Sequence, residues 1–167
     1  AAGIGPVFGH AAYLINLGAA DEALYRKSRN ALREELERAE RLKLSGLVLH
    51  PGSHGGAGAA AGIGRVAEAL NELLAATPTS KVRILLENTA GQGTSLGRRF
   101  EHLADILRRV RKRSRLGVCL DTCHLFAAGY DIRSEAAYAH TMEAFDALIG
   151  LKRLACVHFN DSKGELG

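Results

Sequence analysis

Tryptophan is absent from this 167-residue chain, methionine occurs once, and proline and cysteine occur three times each. Aromatic residues make up 5% of the composition, so any core has to be built from aliphatic side chains. So few prolines exclude a polyproline ligand or a proline-rich linker. Three cysteines, Cys119, Cys123 and Cys156, are an odd number, and they lie in or beside apolar stretches. That pattern suits reduced packing residues better than a disulfide framework. The Cys119-x-x-x-Cys123 spacing has no second pair and falls short of a thiolate zinc motif. No run approaches the roughly 18 apolar residues of a membrane span. No charged-then-apolar leader opens the chain either, so a cytoplasmic protein is expected. A formal charge of +4 is too mild to argue for a polyanionic partner by itself.

What is present suits a folded domain. Hydrophobic residues make up 47%, ordinary for a globular protein, and the length allows one core of useful size. The first residue is Ala, and the last residues form a polar turn straight after an apolar stretch. The chain is therefore expected to be a single partial domain, residues 1–167, belonging to something longer.

Apolar runs at GPVFGH (5–10), GLVLH (46–50), VRILLE (82–87), LGVCLD (116–121) and LACVHFN (154–160) read as strands. Between them lie amphipathic stretches at about 21–42, 63–74, 100–110 and 135–149, with Asp21 placed to cap the first. The segment PGSHGGAGAAAGIG is expected to be a flexible loop because of its glycine, and it lacks the Gly-Lys-Ser/Thr ending of a phosphate loop. Arg108, Arg109, Arg111 and Lys112 read as a solvated helix end favoured by the helix dipole. Strands alternating with helices mean βαβ units and a parallel sheet.

Each strand run ends in, or within two residues of, a polar group: His10, His50, Glu87, Asp121 and His158. Successive separations are 40, 37, 34 and 37 residues, about one βα unit each. Five such groups should therefore meet at one rim of one sheet, the end where α/β folds do chemistry. With His124 three residues after Asp121, that mouth holds too many titratable groups to stay unpaired against desolvation. Metal ions resolve the conflict, and a nitrogen and oxygen ligand set suits zinc, manganese or iron better than calcium or magnesium. Glu87, mid-series, is placed to bridge two ions about 3.5–4 Å apart, as in two-metal hydrolases. His54 follows Pro51 and Gly52, which forbid a helical His pair with His50, so it reads as a turn group or as one that supports the ligands. His102 and His140 are expected to face solvent from helices. Tyr13 is a loop aromatic that either packs or contacts substrate.

The stretches GHAAYLINL, LHPGSH, LLENTAGQG, GVCLDTCHLFAAGYD and VHFNDSK, in this order and spacing, closely resemble the endonuclease IV family. That family comprises zinc-dependent apurinic/apyrimidinic endonucleases of DNA base-excision repair. The resemblance implies an α/β fold, an incomplete TIM (β/α)8 barrel with about five of eight strand–helix units. It implies a trinuclear zinc site, with manganese as an alternative metal. His10, His50 and Glu87 would hold the first zinc, Glu87, Asp121 and His158 the second, and His124 part of the third. Tyr13 and Leu14 match loop residues that enter the DNA at the lesion, and Asn88, Gln92 and Asp161 match groups supporting the ligands. Absent are the family's first two strands, its last strand with a final glutamate ligand, and the Asp-x-His pair completing the third site.

The implied reaction is hydrolysis of the phosphodiester 5′ to an abasic site in double-stranded DNA, abasic or oxidatively damaged. The implied protein is a nucleoid-associated monomer when complete, with Glu87 catalytic. A 167-residue piece alone is expected to be inactive. The competing reading is a metal-dependent sugar isomerase or epimerase on a similar barrel, against which the number of histidines argues. A third is a catalytically incomplete fragment with exposed sheet edges.

Overall fold

The computed structural model describes residue 3 and residues 5–167. Five strands, β1 (Phe8–His10), β2 (Gly46–Leu49), β3 (Arg83–Glu87), β4 (Leu116–Asp121) and β5 (Leu154–His158), form one sheet in that order. Every neighbouring pair is parallel. Five helices connect them: α1 (Glu22–Arg41), α2 (Ala59–Ala76), α3 (Phe100–Arg109), α4 (Thr122–Ala127) and α5 (Glu135–Leu148). The arrangement is a half-barrel of alternating strands and helices, as the patterning predicts.

Side chains alternate across a strand with period two, and that alternation sorts the sheet into two faces. Leu47, Leu49, Ile84, Leu86, Leu116, Val118 and Leu120 join the main core, which also contains Leu32, Leu36, Leu70, Leu74, Leu103 and Leu107 of the helices. Val48, Leu85 and Cys119 form a second, smaller cluster with Phe8 and Cys156 on the other face. Two residues beyond these inner positions on their strands stand His10, His50, Glu87, Asp121 and His158. One register therefore delivers all five to the same side of the same rim. A shift in β4–β5 pairing between Val118 and Cys119 brings Cys119 opposite Cys156 and Asp121 opposite His158.

Local chemistry sets the boundaries. Asp21 caps α1, its Oδ1 accepting from Leu24 N at 2.7 Å, and Ser134 caps α5 in the same way through Ala137 N at 3.2 Å. Arg108 and Arg109 lie exposed in the last turn of α3, with Arg108 paired to Asp105. Lys112 reaches back to the Leu74 carbonyl at 3.1 Å, so this basic cluster finishes helices on the outer side.

The glycine-rich segment departs from expectation. α2 begins at Ala59, so Gly62 and Gly64 are helical rather than part of a flexible loop. Packing explains Gly62: a Cβ there would lie 2.8 Å from His54 Cβ and 3.0 Å from Leu96 Cδ1. The helix runs through the glycines because close approach to that loop repays their entropic cost. The short α4, which carries His124, also has no counterpart in the periodicity of the sequence.

Gly52 anchors the turn after β2. Its φ is +103°, and a Cβ would collide with Asn16 Oδ1, the atom that accepts from Gly18 N and Ser53 N. Gly52→Ala combines backbone strain with the loss of those two bonds and should destabilise by about 2 kcal/mol. Thermal unfolding should then show a midpoint lower by roughly 4–8 °C; an unchanged midpoint would mean the turn tolerates a side chain. Among the described residues, no helix is long and apolar enough to cross a membrane.

Candidate metal centre

Glu87 is the hub. Its carboxylate is 1% exposed, and three imidazoles approach within 2.9 Å: His10 Nε2 and His50 Nε2 on Oε2, and His158 Nδ1 on Oε1. His124 Nδ1 stands 3.6 Å from Oε1. Burial works against ionisation of Glu87, but the surrounding His10, His50 and His158 outweigh it and hold the carboxyl well below the usual range. The hydrogen bond with Glu87 raises the pKa of His10 in return, against its partial burial.

Asp121, also buried, closes the other side. His158 Nδ1 is 4.0 Å from its Oδ2 and His124 Nδ1 3.8 Å from its Oδ1. Asp121 Oδ1 also accepts from His124 N at 2.8 Å, so it both joins the cluster and caps the short α4 that presents the imidazole. Two groups of ligand atoms within 4.8 Å of one another result, His10–His50–Glu87 and Glu87–Asp121–His124, and either could hold an ion. His158 reaches both carboxylates.

Ring protonation tests whether these residues fit a metal. His10 Nδ1 lies 2.7 Å from the Ala11 carbonyl and His124 Nδ1 2.9 Å from the Asn88 carbonyl. A carbonyl only accepts, so the Nδ1 proton of each ring is committed, which is how ligating histidines are usually held. His10 Nε2 then meets Glu87 either with a second proton or with a lone pair that calls for a cation between them. His50 Nε2 is buried without any aligned hydrogen-bond partner although Glu87 is near. An orphaned buried ring nitrogen beside a carboxylate and three other imidazoles fits a bound divalent cation.

Asn88 is fully buried and locks Asp121 in place. Its Oδ1 accepts from Asp121 N at 2.7 Å and its Nδ2 donates to Asp121 O at 3.2 Å. Gln92 lines a cavity of about 230 Å3 with Tyr13, Asn16, His50, Thr89 and His124. Asp161 is exposed, and its Oδ1 accepts from Ser162 N at 2.9 Å. Its neighbour Asn160, which sequence reasoning missed, donates from Nδ2 to Asp121 Oδ2. A second amide near Asp121, two residues past His158, was the available signal.

Tyr13 and Leu14 project from the loop after β1, 78% and 90% exposed. The Tyr13 ring stacks on His10 at 5.1 Å and meets His50 edge-on at 5.2 Å. His54 is a turn group as expected: its Nδ1 accepts from Gly58 N at 3.1 Å, serving the start of α2. His140 is exposed. His102 is not solvent-facing: it is half-buried, accepts from Gly97 N at 3.3 Å, and burial lowers its pKa. Its place at the start of α3 folds the ring back over the preceding turn.

A parallel half-barrel with buried carboxylates ringed by imidazoles at its C-terminal rim defines a TIM-barrel protein with groups that could hold a metal ion. The chain belongs to the xylose isomerase-like TIM barrel family, whose model matches residues 1–167. It is 53% identical over 165 residues to a probable endonuclease 4 of Chloroflexus aggregans, covering 99% of this chain and 58% of that protein. A probable endonuclease 4 of Geotalea daltonii is 52% identical over 161 residues, 96% of this chain and 56% of that one. The crystal structure of endonuclease IV from Thermus thermophilus superposes with a TM-score of 0.81 at 41% identity, over 97% of this chain and 55% of that chain. The motif resemblance to endonuclease IV is thus borne out. The chain spans about 58% of the length of the curated relatives it matches. A D-tagatose 3-epimerase-like protein also superposes, with a TM-score of 0.77, but at 23% identity it shares only the fold.

Proposed function

We propose that this chain is the metal-binding part of a DNA repair endonuclease that hydrolyses the phosphodiester 5′ to abasic sites, in a partial TIM-barrel domain over residues 1–167. The observation that carries the reading is the Glu87 carboxylate, buried and met by three imidazoles at 2.9 Å, one of them with an orphaned ring nitrogen.

His10, His50 and Glu87 would hold one ion and Glu87, Asp121 and His158 a second, with His124 contributing to a third. Zinc is the metal this nitrogen and oxygen set suits, manganese the alternative. When bound, such ions supply charge stabilisation to a phosphoryl transition state and activate water at neutral pH. The chain's own residues do the rest. Glu87 keeps its charge at neutral pH, and so remains a bridging acceptor. The Ala11 carbonyl accepts the Nδ1 proton of His10 and leaves its Nε2 facing Glu87, and the Asn88 carbonyl accepts the Nδ1 proton of His124. Asn88 and Asn160 set the orientation of Asp121. Gln92 supports the cavity wall beside His124.

Tyr13 and Leu14 are exposed on the rim, beside His10 and His50. Their role is to wedge into a duplex that kinks easily where a base is missing, so the sugar–phosphate reaches the carboxylates. DNA phosphates would be met by rim loops, since the arginine-bearing helix ends lie on the outside.

The test is incision of a duplex carrying one synthetic abasic site, by this chain and by the chain extended to the length of its relatives, with and without chelator. Chelator-sensitive cutting by the extended chain is expected; cutting that survives chelation, or none, overturns the reading. Tyr13→Ser in the extended chain should weaken binding to the abasic duplex about tenfold, or roughly 1.4 kcal/mol, with unfolding unchanged. Equal affinity in a gel-shift titration would remove Tyr13 from the DNA surface.

A further inference from the structure

Directly beneath the rim, on the same concave face, lies a third ligand group, whose two thiols the reaction does not use. Cys119 of β4 and Cys156 of β5 are paired in register, and both stand in the small inner cluster with Val48 and Leu85. Both are free thiols. His158, two residues beyond Cys156 on the same strand, faces the same way. The two sulfurs and a ring nitrogen of His158 lie within 4.8 Å of one another, close to the span one ion bridges with metal–sulfur bonds of about 2.3 Å. Cys119 is fully buried, whereas Cys156 and His158 are half-exposed, so an ion has a way in from the concave side.

We propose that Cys119, Cys156 and His158 form a thiophilic metal site, selective for soft cations such as Cd2+, that shares His158 with the rim centre. Two sulfurs and one nitrogen prefer a soft ion, whereas the rim offers only nitrogen and oxygen. Each thiol releases its proton to solvent as its sulfur–metal bond forms. His158 Nδ1 is the atom that meets Glu87 at 2.9 Å, so an ion that draws the His158 ring onto the two sulfurs competes with the rim centre for it. A soft ion would therefore act as an inhibitor of the rim chemistry, and this consequence alone rests on the endonuclease reading.

The probe is Cd2+ added to the chain under phosphine reductant, read by thiolate-to-metal charge-transfer absorption, which rim histidines and carboxylates cannot produce. The band should saturate at one equivalent in the parent chain and in Cys123→Ala. In Cys156→Ala it should fall by about half or more, and binding weaken at least about tenfold, because one of two thiolates is gone. A band of full intensity in Cys156→Ala, or its loss in Cys123→Ala, overturns the site. Cys119 is core, so the half-exposed Cys156 carries the test, with His158→Ala as a second variant whose Cd2+ affinity should also drop. In the chain extended to the length of its relatives, one equivalent of Cd2+ should slow abasic-site incision in the parent and spare Cys156→Ala. Equal slowing of both would refute the inhibitory coupling. Absent incision in all forms with the band still dependent on Cys156 would sink the nuclease reading and leave the thiol site standing.

Discussion

Glu87→Gln is expected to lower abasic-site incision by about a thousandfold or more in the chain extended to the length of its relatives, while the fold survives. The side chain is isosteric, so the inner face keeps its packing. Its charge does not survive. Three imidazoles within 2.9 Å of the carboxylate would face an amide that can accept through one oxygen only and presents N–H donors in place of the other. A bridging ligand would become a terminal one at best, and ions sharing it would lose affinity together. Metal content after dialysis and incision rate are the two measurements. Loss of metal along with activity supports the bridge. Full activity in Glu87→Gln would remove Glu87 from the centre.

Asn88→Ala should be the most damaging substitution for stability among the residues behind the centre, at about 3–4 kcal/mol. Asn88 is 0% exposed, and its amide satisfies both the N–H and the C=O of Asp121. Removing it orphans two buried backbone groups, each worth about 1–3 kcal/mol unsatisfied, and leaves a small void. That is a large fraction of the roughly 5–15 kcal/mol by which a domain is stable. Because those groups belong to Asp121, the carboxylate should also lose its orientation. Urea unfolding and metal affinity should therefore fall together. Lower stability with undiminished metal affinity would mean that Asn160 and His124 N suffice to hold Asp121 in place.

The rim was legible in advance because a strand's period is short-range and strict. Polar groups ending five apolar runs, with β-unit spacings, can only gather on one side of one sheet, and His10, His50, Glu87, Asp121 and His158 do. The capping role of Asp21 and the turn role of His54 follow from local backbone chemistry in the same way. The glycine-rich stretch misled because glycine's entropic cost is a local quantity, whereas the reason for Gly62, an approach to His54 and Leu96 too close for a Cβ, lies across the fold. His102 was misplaced for a related reason: its helical position is readable, but the turn it folds over is not.

The sequence by itself determined the strand and helix alternation and the set of groups at the rim, because each rests on period, residue type or spacing along the chain. Only the tertiary structure decided which atoms face which. It showed that four imidazoles crowd one carboxylate, that Asn88 and Asn160 flank Asp121, and that Cys119 and Cys156 lie side by side beneath. Those relations depend on the register between neighbouring strands, including the shift between Val118 and Cys119. Register comes from packing of the whole sheet, and no window of sequence contains it.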